Sequence, residues 1–503
     1  MKKMPWSRSL DFQRDSMLVG FWKSVKNRPK LALSQLFCFI FISVSFLAFA
    51  GWIDLSQYSK YYYSQICSNK TAKTLEFPLD CSSWNRTNVC PKTYPKSQPC
   101  PKPSPGSCPE YFRWIHRDLR HWRETGITEA MVEKARRTAH FRLTISGGKM
   151  YVEKFRQSIQ TRDLFTIWGF AQLMRLYPGR LPDLELMFDC DDRPVVPEAE
   201  IGRGPPPVFR YCSDSRSLDI VFPDWSFWGW AEINIRPWRS MLKAIKEGNA
   251  KTRWEDRVPY AYWKGNPHVC PWRGELMQCN ATDQNDWNAR LYVQNWDAEA
   301  KEGYQHSNIE DQCTHRYKIY IEGWGWSVSE KYIFACDSPT LLMTQRWHDF
   351  FIRGMTPQKH YWPVKDSDKC RSLKFAVEWG NNHTAKAKAI GERGSRFIHE
   401  DMKMEYVYDY IFHLLNEYAK LLRYKPKVPP NAVEVCSESL ACSADGNWRK
   451  FMEESMEKSA SDSAPCTMPP PYEDQEFKAL VDEQAKATRQ VEAWEERYWA
   501  KQR

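Results

Sequence analysis

Several common features are missing from this chain, and each absence removes a class of function. There is no Cys-x-x-Cys pair and no cysteine/histidine cluster at zinc spacing, although the chain has 16 cysteines. Structural disulfides therefore account for them better than metal sites do. No Walker or Rossmann glycine fingerprint occurs, and there is no internal repeat. Beyond the first 30 residues, charge of one sign is not gathered into a block. The net charge of +10 is modest for 503 residues, and basic residues alternate with acidic ones. That pattern is a solvated surface rather than a nucleic-acid footprint.

Between Leu31 and Ile53 charge is absent altogether: the run reads LALSQLFCFIFISVSFLAFAGWI. An apolar helix of roughly 20 residues spans a hydrocarbon core of about 30 Å. The run is longer than a signal-peptide apolar region, and Gly51-Trp52-Ile53-Asp54 is a poor cleavage site. Lys2, Lys3, Arg8, Arg14, Lys23, Lys26, Arg28 and Lys30 precede it, against Asp11 and Asp15. Positive flanks stay in the cytosol. The expectation is a type II anchor at 31–53 behind a cytosolic tail at 1–30, with a buried core helix or a cleaved signal as the alternatives.

The remainder of the chain suits an oxidising lumen. Cys38 lies in the apolar run and fifteen cysteines come after it, an odd number that leaves at least one thiol free or paired between chains. Four glycosylation sequons start at Asn69, Asn85, Asn280 and Asn382. Residues 54–110, with the run PKTYPKSQPCPKPSPGSCPE, read as a Pro/Cys-rich stem that cannot build a core alone. A catalytic domain is expected over 111–435 and a polar extension over 436–503.

Within 111–435 the periodicity predicts strands alternating with helices. Phe141–Ile145 reads as a strand ending at Gly147-Gly148, and Asp163–Leu176 as a helix that stops at Pro178-Gly179. Leu184–Phe188 is a strand ending at Asp189, Tyr317–Gly323 runs from strand into glycine loop, and Tyr406–Tyr424 is an amphipathic helix. The fold class is α/β.

Three groups of residues carry candidate chemistry. Asp189, Asp191 and Asp192 follow a strand, where open α/β sheets bind ligands. They are either a site for a divalent ion against a diphosphate or a loop neutralised by Arg193 and Arg210. Glu322-Gly-Trp-Gly-Trp-Ser-Val-Ser-Glu-Lys331 runs from a strand into a helix expected to begin at Ser327. Its glycines, Gly323 among them, let a ligand approach, the helix end supplies N–H groups, and Ser327, Ser329 and Lys331 add donors; an ordinary capped turn is the alternative. Asp163 opens an apolar helix, either as a dipole partner or as a general base. Trp and Tyr are abundant (24 each), and their flat faces suit sugar rings or bases, although core packing must use most of them.

Taken in order, Gly179-Arg-Leu-Pro-Asp-Leu-Glu-Leu, Asp219-Ile-Val-Phe-Pro-Asp-Trp-Ser-Phe-Trp, Ala261-Tyr-Trp-Lys-Gly265, the Tyr317–Tyr332 stretch and Gly391-Glu-Arg-Gly-Ser-Arg-Phe-Ile resemble glycosyltransferase family 90. This is the family of the Rumi-type protein O-glucosyltransferases and the capsule-associated xylosyltransferases, and the closest likeness is to its plant-like members. The resemblance implies a two-lobed GT-B fold, a UDP-sugar co-substrate carrying glucose or xylose, and inversion at the anomeric carbon with no cofactor or required metal. It implies a catalytic Asp, for which Asp163 is the nearest candidate, although an ungapped alignment puts Gln160 there. Asp192 matches a family Asp, Arg273 a family Arg, and Lys331 a basic position of the phosphate loop; Ser329 stands where the family has an Arg. Gly265 and Gly323 complete the expected donor site. The acceptor is a glycan or a protein. Soluble Rumi-type enzymes end in a retrieval tetrapeptide, whereas this chain ends Ala-Lys-Gln-Arg. The expected location is the Golgi membrane, with the endoplasmic reticulum as second choice. A non-catalytic sugar-binding protein of the same fold, or a metal-dependent transferase using Asp189 and Asp191, are the competing readings.

Overall fold

A hairpin begins the first sheet. In the computed structural model, which describes residues 76–91, 104 and 106–502, β1 (Phe141–Ser146) turns into β2 (Lys149–Lys154) through Gly147 and Gly148 at φ +57° and +75°. Both angles lie in the left-handed region that a Cβ disfavours, as this kind of two-residue turn requires. β3 (Leu184–Phe188), buried along its whole length, pairs antiparallel with β1, and β4 (Val208–Arg210) and β5 (Ile220–Val221) follow it in parallel. The second sheet is parallel throughout. It contains β6 (Val258–Gly265), β7 (Ala289–Val293), β8 (His315–Tyr320), β9 (Thr340–Met343) and β10 (Trp362–Val364) in the order β10-β9-β8-β6-β7. The chain then returns to the first sheet, where β11 (Val433–Val435) pairs with β2 and completes the order β11-β2-β1-β3-β4-β5.

Six longer helices cover these sheets: α1 (Arg162–Leu176), α2 (Trp238–Ala250), α3 (Lys369–Asn382), α4 (Thr384–Arg396), α5 (Met404–Leu421) and α6 (Asp474–Gln502). Helix α1 is buried on nearly every face, which is why its apolar spacing is so dense. One core packs around the first sheet and takes in the fully buried Trp122, Trp168, Trp225, Trp228 and Trp238. A second core, with Trp263, Ile319, Leu341, Leu373 and Val377, fills the space behind the parallel sheet. The expected cytosolic tail, the apolar run 31–53, Cys67, the Asn69 sequon and Cys100 lie outside the described residues; among the described residues no helix is long and apolar enough to cross a membrane.

The segment from Cys436 onward, expected from its composition to be a polar extension, contributes Ala441, Phe451 and Met452 to the first core and Val491 to the second. Three disulfides tie it to the stem: Cys81–Cys442, Cys90–Cys436 and Cys108–Cys466. Cys279–Cys370 and Cys313–Cys336 lie within the body, while Cys190, Cys212 and Cys270 are buried free thiols. Removing a native disulfide typically costs about 2–5 kcal/mol. The double change Cys108→Ala/Cys466→Ala is expected to fall at or below the low end of that range, because two neighbouring bridges still close nearly the same loop; calorimetric unfolding of the pair against wild type measures it. Of the sequons, Asn85 and Asn382 are exposed, but the Asn280 amide donates to the Leu291 carbonyl (3.1 Å) and accepts from the Leu291 N–H (3.0 Å), so a glycan there would break a strand-edge pair.

Candidate active site

Loops following β3, β6 and β8 meet around a cavity of about 280 Å³. A larger cavity of about 530 Å³ beside Pro91 and Cys436 holds none of the expected site residues. The smaller one is lined by Asp192, Gly265, Arg273, Gly323, Ser327 and Ser329, six of the eight positions expected from sequence.

Arg273 forms the floor. Only 9% exposed, it has no carboxylate partner among the described residues. Its Nε donates to the Glu322 carbonyl (2.9 Å) and an Nη to the Ser327 hydroxyl (3.0 Å), which is 2.8 Å from the Ser329 hydroxyl. A buried cation held only by carbonyls and hydroxyls is costly unless an anion completes it. Burial lowers the guanidinium pKa, the direction expected of a charge lacking a counter-ion. Three more buried donors that line the cavity have no hydrogen-bond partner among the described residues: Gln294 Nε2, Trp225 Nε1 and Trp326 Nε1. Buried polar groups are normally paired, so these donors mark space for a ligand rich in acceptors.

Asp192 is the one carboxylate on the lining among the described residues. It is half-buried, and its Oδ1 accepts from Arg162 (2.8 Å), whose guanidinium also donates to the Cys190 carbonyl (3.1 Å) and lies 4.5 Å from the Trp225 ring. Gly325, in the loop after β8, is backed so closely onto Asp192 that a Cβ would lie 2.0 Å from the Asp192 carbonyl oxygen. The two loops therefore meet without a side chain between them, and Asp192 is brought beside the Arg273 site.

Two expected residues are placed elsewhere. Asp163 does not line the cavity: it is 7% exposed, pairs with Lys154 (2.8 Å) and accepts from the Ser158 hydroxyl (2.6 Å) in the first turn of α1. Successive helical residues point about 100° apart, so Arg162 faces the cavity and Asp163 turns away. Lys331 is 1% exposed and pairs with Asp224 (2.8 Å) inside the protein. The helix expected from Ser327 runs only over Glu330–Phe334. Ser327 N–H donates to the Tyr320 hydroxyl (3.0 Å) and the Ser327 side chain bonds Arg273 and Ser329, which holds these residues out of the helix. Hydroxyls and a guanidinium, rather than a helix end, supply the donors. Arg162, Gln294, Trp225 and Trp326 were not singled out from sequence as site residues, although Trp225 and Trp326 stand inside the quoted Asp219 and Glu322 motifs.

Near the cavity, His140, Asp189 and Asp191 bring potential metal-ligand atoms within 4.8 Å of one another. Arginines already occupy that position: Arg156 is 3.3 Å from Asp189 and 3.0 Å from Asp191, and Arg210 is 2.7 Å from Asp189. Burial alone would raise the Asp189 carboxyl, but His140 and Arg210 outweigh it and hold it below the usual range. Neither Asp189 nor Asp191 lines the cavity.

The geometry is that of an α/β protein whose cavity carries a buried guanidinium and, among the described residues, one carboxylate on the same lining. The comparisons name that class: residues 103–495, which include every cavity residue above, match the profile of Glycosyl transferase family 90. The chain belongs to glycosyltransferase family 90, and it is an enzyme. It is 27% identical over 355 residues to an O-glucosyltransferase rumi homolog of Aedes aegypti (67% of this chain, 84% of that protein). It is 24% identical over 346 residues to O-glucosyltransferase rumi of Drosophila melanogaster (66% and 82%). With human protein O-glucosyltransferase 1 it shares 27% over 343 residues (65% and 83%).

Glu322 connects the site to stability. Its carboxylate accepts from the N–H groups of Arg346 and Trp347 (both 2.7 Å), while its carbonyl holds Arg273 and Trp272. Burial pushes its carboxyl up to about 7 from 4.5, against the pull of those N–H groups and of Arg346. The folded chain thus keeps a proton that the unfolded chain has released. This contribution is complete below pH 4.5 and is lost as pH rises through about 7. Buried histidines such as His315 and His360, each lowered to about 4 by burial, act in the opposite sense across nearly the same window, so total stability does not isolate Glu322. The difference in unfolding free energy between wild type and Glu322→Gln does. It should shift against the wild type by an amount on the order of 3 kcal/mol between pH 4 and pH 8, as followed by denaturant titration.

Proposed function

We propose that this enzyme inverts the anomeric centre of a UDP-sugar, glucose or xylose, as it transfers the sugar to a hydroxyl of a glycan or protein. The two sheets with separate cores are read as the two lobes of a GT-B fold, with the donor in the cavity between their loops. The observation that carries this reading is Arg273, a buried guanidinium with no counter-carboxylate among the described residues, joined to Ser327 and through it to Ser329 on the cavity floor. A diphosphate supplies the missing negative charge, and the same donors stabilise the charge that develops on the departing UDP. Gly265 and Gly323 line the cavity beside them.

Asp192 is assigned the general base. An acceptor hydroxyl at Asp192 gives up its proton to the carboxylate as its oxygen attacks the anomeric carbon from the face opposite UDP. Arg162 orients that carboxylate. Asp163, held by Lys154 and Ser158, supports the start of α1 instead. The names of the relatives favour glucose and a protein acceptor; the plant-like motifs keep xylose and a glycan in view. The uncharged run 31–53 and its basic flank favour a single-pass type II protein of the Golgi membrane.

The test is UDP release from a panel of UDP-sugars by the full chain in detergent, with and without EDTA. One donor should be hydrolysed slowly and without sensitivity to EDTA. Loss of activity with EDTA would move the chemistry to the His140, Asp189 and Asp191 cluster. Donor binding without any turnover, with or without acceptor, would leave the sugar-binding reading.

A further inference from the structure

Trp324 is the most solvent-open aromatic side chain on the cavity lining, at 47% exposure, and its indole N–H has no partner among the described residues. Arg193 covers one face, its guanidinium 3.7 Å from the ring centroid and its Nε donating to the Trp324 carbonyl (2.6 Å). Trp272 lies nearly parallel at 7°, but with the centroids 6.3 Å apart the rings overlap only in part, which leaves a flat ledge. Arg346 sits over Trp272 and has two counter-ions, Glu322 (3.3 Å) and Asp366 (2.8 Å). Arg193 has none among the described residues. The acids just before it are already paired, Asp191 with Arg156 and Asp192 with Arg162 (2.8 Å). The Arg193 charge is therefore surplus, at the mouth of a cavity and beside an open indole.

We infer that Trp324 and Arg193 form the acceptor subsite, and that it takes a hexuronate ring of an acidic glycan. The inference rests on the transferase reading and deepens it. A sugar lays its C–H face on an indole, and a guanidinium pairs with a carboxylate through two parallel hydrogen bonds. A neutral sugar leaves that charge unmatched, and a peptide hydroxyl has no use for the ledge. The place is right for the chemistry. Arg193 follows Asp192 in sequence, and Trp324 precedes Gly325, which backs onto Asp192. In the step itself, an acceptor hydroxyl loses its proton to Asp192 and its oxygen bonds to the anomeric carbon. The bond from that carbon to the phosphate oxygen breaks, and its electron pair leaves on UDP.

The probes are a trimer of galacturonic acid and its carboxyl-reduced counterpart. Binding of each to the full chain is measured by calorimetry without donor, and stimulation of UDP release is measured with donor. Wild type should prefer the uronide by at least about tenfold, a difference of roughly 1.4 kcal/mol. Arg193→Gln should bring that ratio close to one, while Trp324→Ala weakens both sugars alike. Equal binding of the two trimers by wild type, a ratio that Arg193→Gln leaves intact, or stimulation by a disulfide-rich protein repeat alone would each overturn the assignment. The donor-free binding arm stands by itself. If no UDP-sugar is turned over while the uronide preference and its loss in Arg193→Gln persist, the transferase reading fails and the subsite does not.

Discussion

Asp192→Asn is expected to bind the donor as wild type does and to lose transfer by about 10²–10⁴-fold in kcat, the usual contribution of a positioned general base. The substitution keeps the size of the side chain and an oxygen that can accept from Arg162, so the loops around it should hold. What it removes is the capacity to take a proton. No other carboxylate among the described residues lines the cavity to replace it. Single-turnover transfer together with UDP binding separates the two effects. Asp163→Asn is the control: its carboxylate bonds Lys154 and Ser158 away from the cavity, so it should lower the thermal midpoint with little change in kcat. If Asp163→Asn abolishes transfer while Asp192→Asn preserves it, the assignment is reversed.

Arg273→Ala should raise the Kd for UDP by more than tenfold, equivalent to at least about 1.4 kcal/mol. Two losses combine. The diphosphate loses its guanidinium, and the carbonyls of Glu322, Ile321 and Asn266, now bonded by the side chain, are left without that donor. Arg273→Lys distinguishes them. Lysine keeps the charge but has no planar fork, so it should recover part of the UDP affinity without restoring the loop. UDP titration and thermal unfolding of both variants read out the two terms. A Kd unchanged in Arg273→Ala would remove the anion site from the cavity floor.

Much of the architecture was legible beforehand because it is local. Apolar alternation and the Gly147-Gly148 pair marked β1 and the turn that ends it, since a strand has period two and a two-residue turn needs left-handed φ, whereas the return strand β2 was not read from sequence. The helical spacing of Asp163–Leu176 is met by α1 (Arg162–Leu176), and that of Tyr406–Tyr424 by α5 (Met404–Leu421). The glycine loop after β8 was found because glycine marks close backbone approach, although what approaches Gly325 turned out to be the chain itself at Asp192. The C-terminal segment was harder to place. Its composition is polar because much of α6 faces solvent, while the few side chains that anchor it, Phe451, Met452 and Val491, are too sparse to form a pattern.

The sequence by itself determined the apolar run with its basic flank, the cysteine supply, several of the strands and helices, and the motifs of the family. These depend on residue type and on spacing within one element. Tertiary structure alone decided which charged side chains are available for chemistry. Lys331 looked like a phosphate ligand until Asp224, more than a hundred positions earlier, was found paired with it at 2.8 Å. One step of helical rotation puts Arg162 on the cavity lining and turns Asp163 toward Lys154 and Ser158 instead. Arg273 is a candidate anion site because no carboxylate among the described residues pairs with it, and that depends on long-range packing rather than on any stretch of sequence. A charge becomes functional or structural according to what the fold puts beside it, and spacing along the sequence does not carry that information.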